Sequence, residues 1–127
     1  MNDMNKFKSF IGSTIAVSTS AYSEKINMDQ IKPNGFGGIA FKHSGSGTAT
    51  ISIEVSNDEN PDDTTASTYL GWVAPVSNSQ IATGVAGNTL VYYTPNEFTF
   101  PPCKWLRFKI AAATNSLTNV ILKPVIQ

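Results

Sequence analysis

The chain has 127 residues, a formal net charge of zero, 14% charged residues, one Cys and one His. This length suits one domain that buries roughly two-thirds of its unfolded surface, and the balanced charge gives no electrostatic pull towards nucleic acid or an anionic membrane. The lone Cys103 excludes an internal disulfide, a single His excludes a histidine-built metal site, and no cofactor motif is present, so neither metal nor cofactor is expected.

At the N-terminus, Lys6 and Lys8 precede a mildly apolar run, but Gly12, Ser13, Thr14, Ser18, Thr19 and Ser20 interrupt it. That makes a poor secretory core, so cleavage is not expected. Residues 1–20 read as a docking arm or an edge strand, with Phe7, Phe10 and Ile11 as its partner-facing residues. No run reaches the roughly 18 apolar residues needed to cross a bilayer.

No segment sustains apolar residues at helical spacing, and Pro, Gly, Ser, Thr and Asn recur at about every eight to twelve residues, the spacing of an all-β sandwich or barrel. Strands are predicted over residues 10–17, 22–28, 37–42, 48–55, 69–73, 90–94, 98–100, 104–111 and 120–126, with a further short one near 80–83 inside a long loop. The expected fold is a single antiparallel β-sandwich over residues 1–127, jelly-roll-like, with about eight to nine short strands. In residues 48–55, Ile51, Ile53 and Val55 face one way and Thr50, Ser52 and Glu54 the other, which predicts a core face and a wet face. Between 42 and 48, HSGSG reads as a hairpin turn with Gly45 and Gly47 at positive φ, pairing the strands on either side and leaving His43 on the surface. In residues 104–110, Leu106, Phe108 and Ile110 face the core, and Trp105, Arg107 and Lys109 form an outward aromatic and basic face. The closing run is apolar on both faces, and Pro124 marks an edge or a bulge.

Charge is unevenly placed. Between His43 and Cys103 there is no Lys or Arg but six acids, while the nine basic residues lie in the two ends. The simpler reading is that cations decorate the outer faces of particular strands; the other is that copies meet side by side or head to tail. The acidic cluster Asp58, Glu59, Asn60, Asp62 and Asp63 offers hard oxygen ligands, but it lacks EF-hand spacing and Pro61 interrupts it. It reads as a solvated loop in which Asn57 and Asp58 cap the turn. GFGG at 35–38 is followed by neither phosphate-loop signature and reads as a strand start that allows close approach. Cys103 reads as a small apolar filler. Trp72, Tyr92, Tyr93 and Trp105 belong to core or interface, with a sugar-stacking platform of Trp72, Tyr92 and Trp105 as the alternative.

The succession ISIEVSND, an acidic loop, YLGW, NEFTFPPCKWLRFKI and NVILKPVIQ resembles the small β-sandwich structural proteins of tailed bacteriophages. Ser56-Asn57-Asp58, Trp72, residues 104–110 and residues 120–127 carry the match, which spans roughly 37–127, and the insert ENPDDTTAST is longer than the corresponding turn of that group. The resemblance implies a non-enzymatic virion component, made in the host cytoplasm, that decorates, cements or completes a capsid or tail. Its partners would be copies of itself, as a trimer, and a capsid or tail protein. The alternative is a carbohydrate-binding or receptor-binding module. An enzyme is not expected, because one His and scattered acids assemble no nucleophile, base and orienting group.

Overall fold

A computed structural model describes residues 10–28, 36–61, 71–75, 80–93 and 103–126. Among them nine strands form two antiparallel sheets: β1 (Phe10–Ile15), β2 (Ser20–Tyr22), β3 (Ile26–Asn27), β4 (Phe36–Lys42), β5 (Ala49–Ser56), β6 (Gln80–Val85), β7 (Val91–Tyr93), β8 (Trp105–Ala112) and β9 (Leu117–Ile126). One sheet has the order β1-β9-β4-β7; the other has β2-β8-β5-β6, with β3 also on β8. Because β2 and β3 pair with different parts of β8, they are two halves of one strand position. Every other connection except β5 to β6 crosses between the sheets, so two four-position sheets enclose the core as a jelly roll.

The core follows from strand alternation. Ile39 and Phe41 of β4 and Leu117, Val120 and Leu122 of β9 meet Ile51 and Ile53 of β5 and Leu106, Phe108 and Ile110 of β8 in one buried cluster. Each such side chain contributes about 1.5–3 kcal/mol by leaving water. In β9 the alternation breaks once. Asn119 sits at φ 48°, so that Leu117 and Val120, three residues apart, both face inward. Pro124 pairs with Ile39 beyond Leu122, the last partner of β1 on β9, where its missing N–H removes no bond to β1.

Three expectations need correction. First, β4 and β5 do not pair: β4 lies between β9 and β7, and β5 between β8 and β6. The HSGSG segment is a crossing between sheets, in which Ser44 N–H donates to Thr118 O while Ala113 N–H donates to Thr48 O. Gly45 and Gly47 do not adopt positive φ; the only described glycine that does is Gly84. Their lack of a side chain serves close approach instead. A Cβ on Gly45 would lie 2.9 Å from the Leu117 Cα, and one on Gly47 would overlap Asn115. Second, the strand expected over 22–28 is broken. Ser23 N–H donates to Phe108 O and the pairing resumes at Ile26↔Leu106, so Glu24 and Lys25 both stand opposite Arg107 as a β-bulge. Third, of the strand expected over 69–73, Val73 alone makes a bridge, to Val55. Residues 69–70 and the strand expected over 98–100 lie outside the described residues.

Candidate functional site

The outward face of β8 carries Arg107, as its alternation requires, but this guanidinium is 0% exposed. Glu54 stands directly across from it on β5, and its Oε1 accepts both Arg107 Nε–H, at 3.0 Å, and Nη2–H, at 2.6 Å. Tyr22 covers one side, with its ring centroid 4.0 Å from the guanidinium carbon, and Trp72 also covers it, at 4.5 Å. Trp72 is brought there by the Val55–Val73 bridge, whose two hydrogen bonds of 2.9 and 3.0 Å lay residues 71–75 beside β5. The wet face expected for Glu54 is therefore covered: Glu54 is buried, and the cation is retained by a carboxylate and two aromatic faces.

The acidic loop is held by lysines distant in sequence. Lys25 Nζ–H donates to Asn60 Oδ1 at 2.6 Å and to Pro61 O at 2.7 Å, and the same ammonium stands 5.0 Å from the Trp105 ring centroid. Lys104 N–H donates to Asn57 Oδ1 at 3.0 Å, and Asp58 N–H to Ser56 Oγ at 3.1 Å. Lys104 Nζ also lies 3.8 Å from Glu59, an exposed pair worth at most about 1 kcal/mol. Lys25 and Lys104 thus supply cations beside a stretch of sequence that has none of its own. Asp62 and Asp63 lie outside the described residues, among which no three His, Cys, Asp or Glu side chains group to hold a metal.

His43 is fully buried, not at the surface. Its Nε2–H donates to Val85 O at 3.0 Å and its Nδ1 accepts Gly45 N–H at 3.2 Å, which occupies both nitrogens with backbone. Asn88 N–H donates to His43 backbone O at 2.6 Å, so His43, through ring and carbonyl, ties the β4–β5 connection to the β6–β7 connection at one end of the sandwich. The signal was present in the sequence: Ile39, Phe41 and His43 continue one inward alternation. Cys103 packs against the core, and burial pushes its thiol up to about 11.

The rings of the sugar-platform reading do not share a face. Trp72 is spent on Arg107, and half-buried Trp105 lies under Lys25 on the same sheet, whereas Tyr92 is 57% exposed on the outside of the other sheet. Tyr92 lies across Gly38, where an added Cβ would overlap its phenol; the close approach anticipated at GFGG is to this ring. Tyr93 packs against the core, opposite to Tyr92. On the same outer face Ala40, the pairing partner of Tyr92, borders an open depression of about 210 Å³ together with Leu90, Ile121, Lys42 and Lys123. Of the proposed docking residues, Phe7 lies outside the described residues, and the backbones of Phe10 and Ile11 pair with Leu122 and Ile121 in β1, at the edge of this sheet.

No protein-family model matches the chain, and no curated protein matches it in sequence. Among the described residues no helix is long and apolar enough to cross a membrane.

Proposed function

We propose that the chain is a non-enzymatic structural component of a bacteriophage virion, a capsid decoration, cement or head- or tail-associated protein that works through protein–protein contacts. The observation that carries this reading is the outer face of the four-stranded sheet, where Leu90 and Ile121 are exposed along an apolar depression and Tyr92 is exposed on the same face, across from Ala40. Contiguous exposed apolar surface of this kind suits contact with another protein. In support, Glu54 is bound to Arg107, and both nitrogens of His43 are bound to backbone. The jelly-roll architecture agrees with the sequence resemblance to phage β-sandwich proteins, and the virion is the proposed location.

The test is co-sedimentation of the purified chain with particles of the phage that encodes it. Stoichiometric binding to capsids or tails, lost on Tyr92→Ala with Ile121→Ser, is the expected result. Failure to bind either particle sinks the reading. The exposed Tyr92 ring also favours a second reading as a carbohydrate-binding or receptor-binding module. A glycan array that showed binding abolished by Tyr92→Ala would select it.

A further inference from the structure

We propose that the outer face of the four-stranded sheet receives the acidic loop, residues 57–60, of a second copy of this chain in a head-to-tail contact. This rests on the reading that the chain works through protein–protein contacts and names one of the partners.

The face is contiguous across three strands. Tyr92 pairs with Ala40, Ala40 with Lys123, and Lys42 with Ile121. The residue-level charge is one-sided. Strands β1, β4, β7 and β9 contain no Asp or Glu and two lysines, Lys42 and Lys123. The described acids all lie elsewhere: Glu24 in the bulge, Glu54 buried against Arg107, and Asp58 and Glu59 in the loop. Two copies that met through this face alone would set these lysines against one another, which like-charge repulsion disfavours. The complementary group on the same molecule is the exposed tip of the loop, Asp58 and Glu59, with Lys25 and Lys104 standing at its side and Lys104 Nζ 3.8 Å from Glu59. Asn57, Asp58, Glu59 and Asn60 are all exposed, and the Glu59 side chain is 96% so. Lys25 and Lys104 already hold this loop in place, so a partner need not order it on binding.

Three of the four described sheet edges offer a poorer route to association, and only β1, six residues long and in regular register with β9, is a plain edge. Both edges of the β2-β8-β5-β6 sheet are bulged, at Glu24–Lys25 and within β6, where Gly84 takes φ 69°, and β7 is only three residues long. The loop follows β5 in one sheet and the receiving face is the outside of the other, so the two surfaces differ. Made in one direction from copy to copy, the contact is heterologous and leads to a ring or an open array.

The test is light scattering coupled to size-exclusion chromatography, on pure protein from micromolar to millimolar concentration. The expected result is mass that rises with concentration and falls with added salt. Lys42→Glu with Lys123→Glu, and separately Asp58→Lys with Glu59→Lys, should each weaken self-association at least about tenfold. An equimolar mixture of the two variants should recover it as a mixed species. All four positions are exposed, and matching thermal melts will show that the variants fold; Lys123→Glu alone, with a smaller expected loss, replaces the double variant if it does not. A wild-type chain that stays monomeric overturns the proposal, as does self-association that survives either reversal or a mixture that fails to associate. A monomer that still binds particles would leave the proposed function standing, whereas an array-forming chain that binds no particle would fail that reading alone.

Discussion

Arg107 is a fully buried cation on what strand alternation makes an outside face, and the cost of taking it out of water is met by three neighbours drawn from three places in the chain. Glu54 provides two charge-assisted hydrogen bonds, and Tyr22 and Trp72 replace solvent against the guanidinium. A buried pair of this kind adds little net stability over an apolar replacement, but removing one partner leaves an uncompensated charge. Arg107→Met is accordingly expected to destabilise by about 3–5 kcal/mol in urea denaturation. The double change Arg107→Met with Glu54→Leu is expected to be less destabilising than Arg107→Met alone. If the two single losses simply add in the double variant, the carboxylate and guanidinium are not coupled as described. The pairing of residues 54 and 107 across two core strands could not be read from sequence, because alternation assigns a face to each but no neighbour.

At the scale of elements, the strands owe their irregularities to particular residues. In the bulge between β2 and β3, Ser23 Oγ accepts the Phe108 N–H at 2.8 Å, so a side chain takes over an acceptor role in the ladder. In β9, Asn119 at φ 48° moves the inward set from Leu117 to Val120. Asn tolerates this left-handed region, and a β-branched residue does not. Asn119→Val should lower stability by about 1–2 kcal/mol at an unchanged denaturant slope, and Asn119→Gly should leave it near wild type. Equal losses from Val and Gly would show that the Asn side chain, not the backbone conformation, matters there. The sequence did show where β5 and β8 lie and which way they face, since Ile51–Ile53 and Leu106–Phe108–Ile110 alternate over enough residues to leave one solution. It was less informative for β4 to β5, because glycines in a short connection look alike whether they make a hairpin turn or let a crossing chain press against its neighbours.

For the molecule as a whole, one buried cluster drawn from both sheets makes the two sheets depend on each other. Among the described residues neither has a second core to fold around, so unfolding is expected to be a single cooperative transition. Tryptophan fluorescence, which reports Trp72 and Trp105 outside one sheet, and far-ultraviolet circular dichroism, which reports all strands, should give coincident urea curves. A fluorescence midpoint clearly below that of dichroism would mean that residues 71–75 detach from Arg107 before the sandwich opens. The partners in both sheets are distant in sequence, as with β1 against β9, so folding on the millisecond-to-second scale is expected.

The amino-acid sequence by itself determined the all-β class, the approximate number and places of the strands, and the inward residues of the best-patterned ones. Those are local properties: a period of two and the turn residues that interrupt it are written in consecutive positions. The tertiary structure alone decided that the strands form a jelly roll, that Arg107 and Glu54 are covered, that His43 ties two connections together from the inside, and that Lys25 and Lys104 hold the acidic loop. Each of these depends on which distant segment packs over a given face. Alternation tells a side chain's direction, but burial depends on what lies above it, and for Tyr92 and Ile121 the described chain places no such cover.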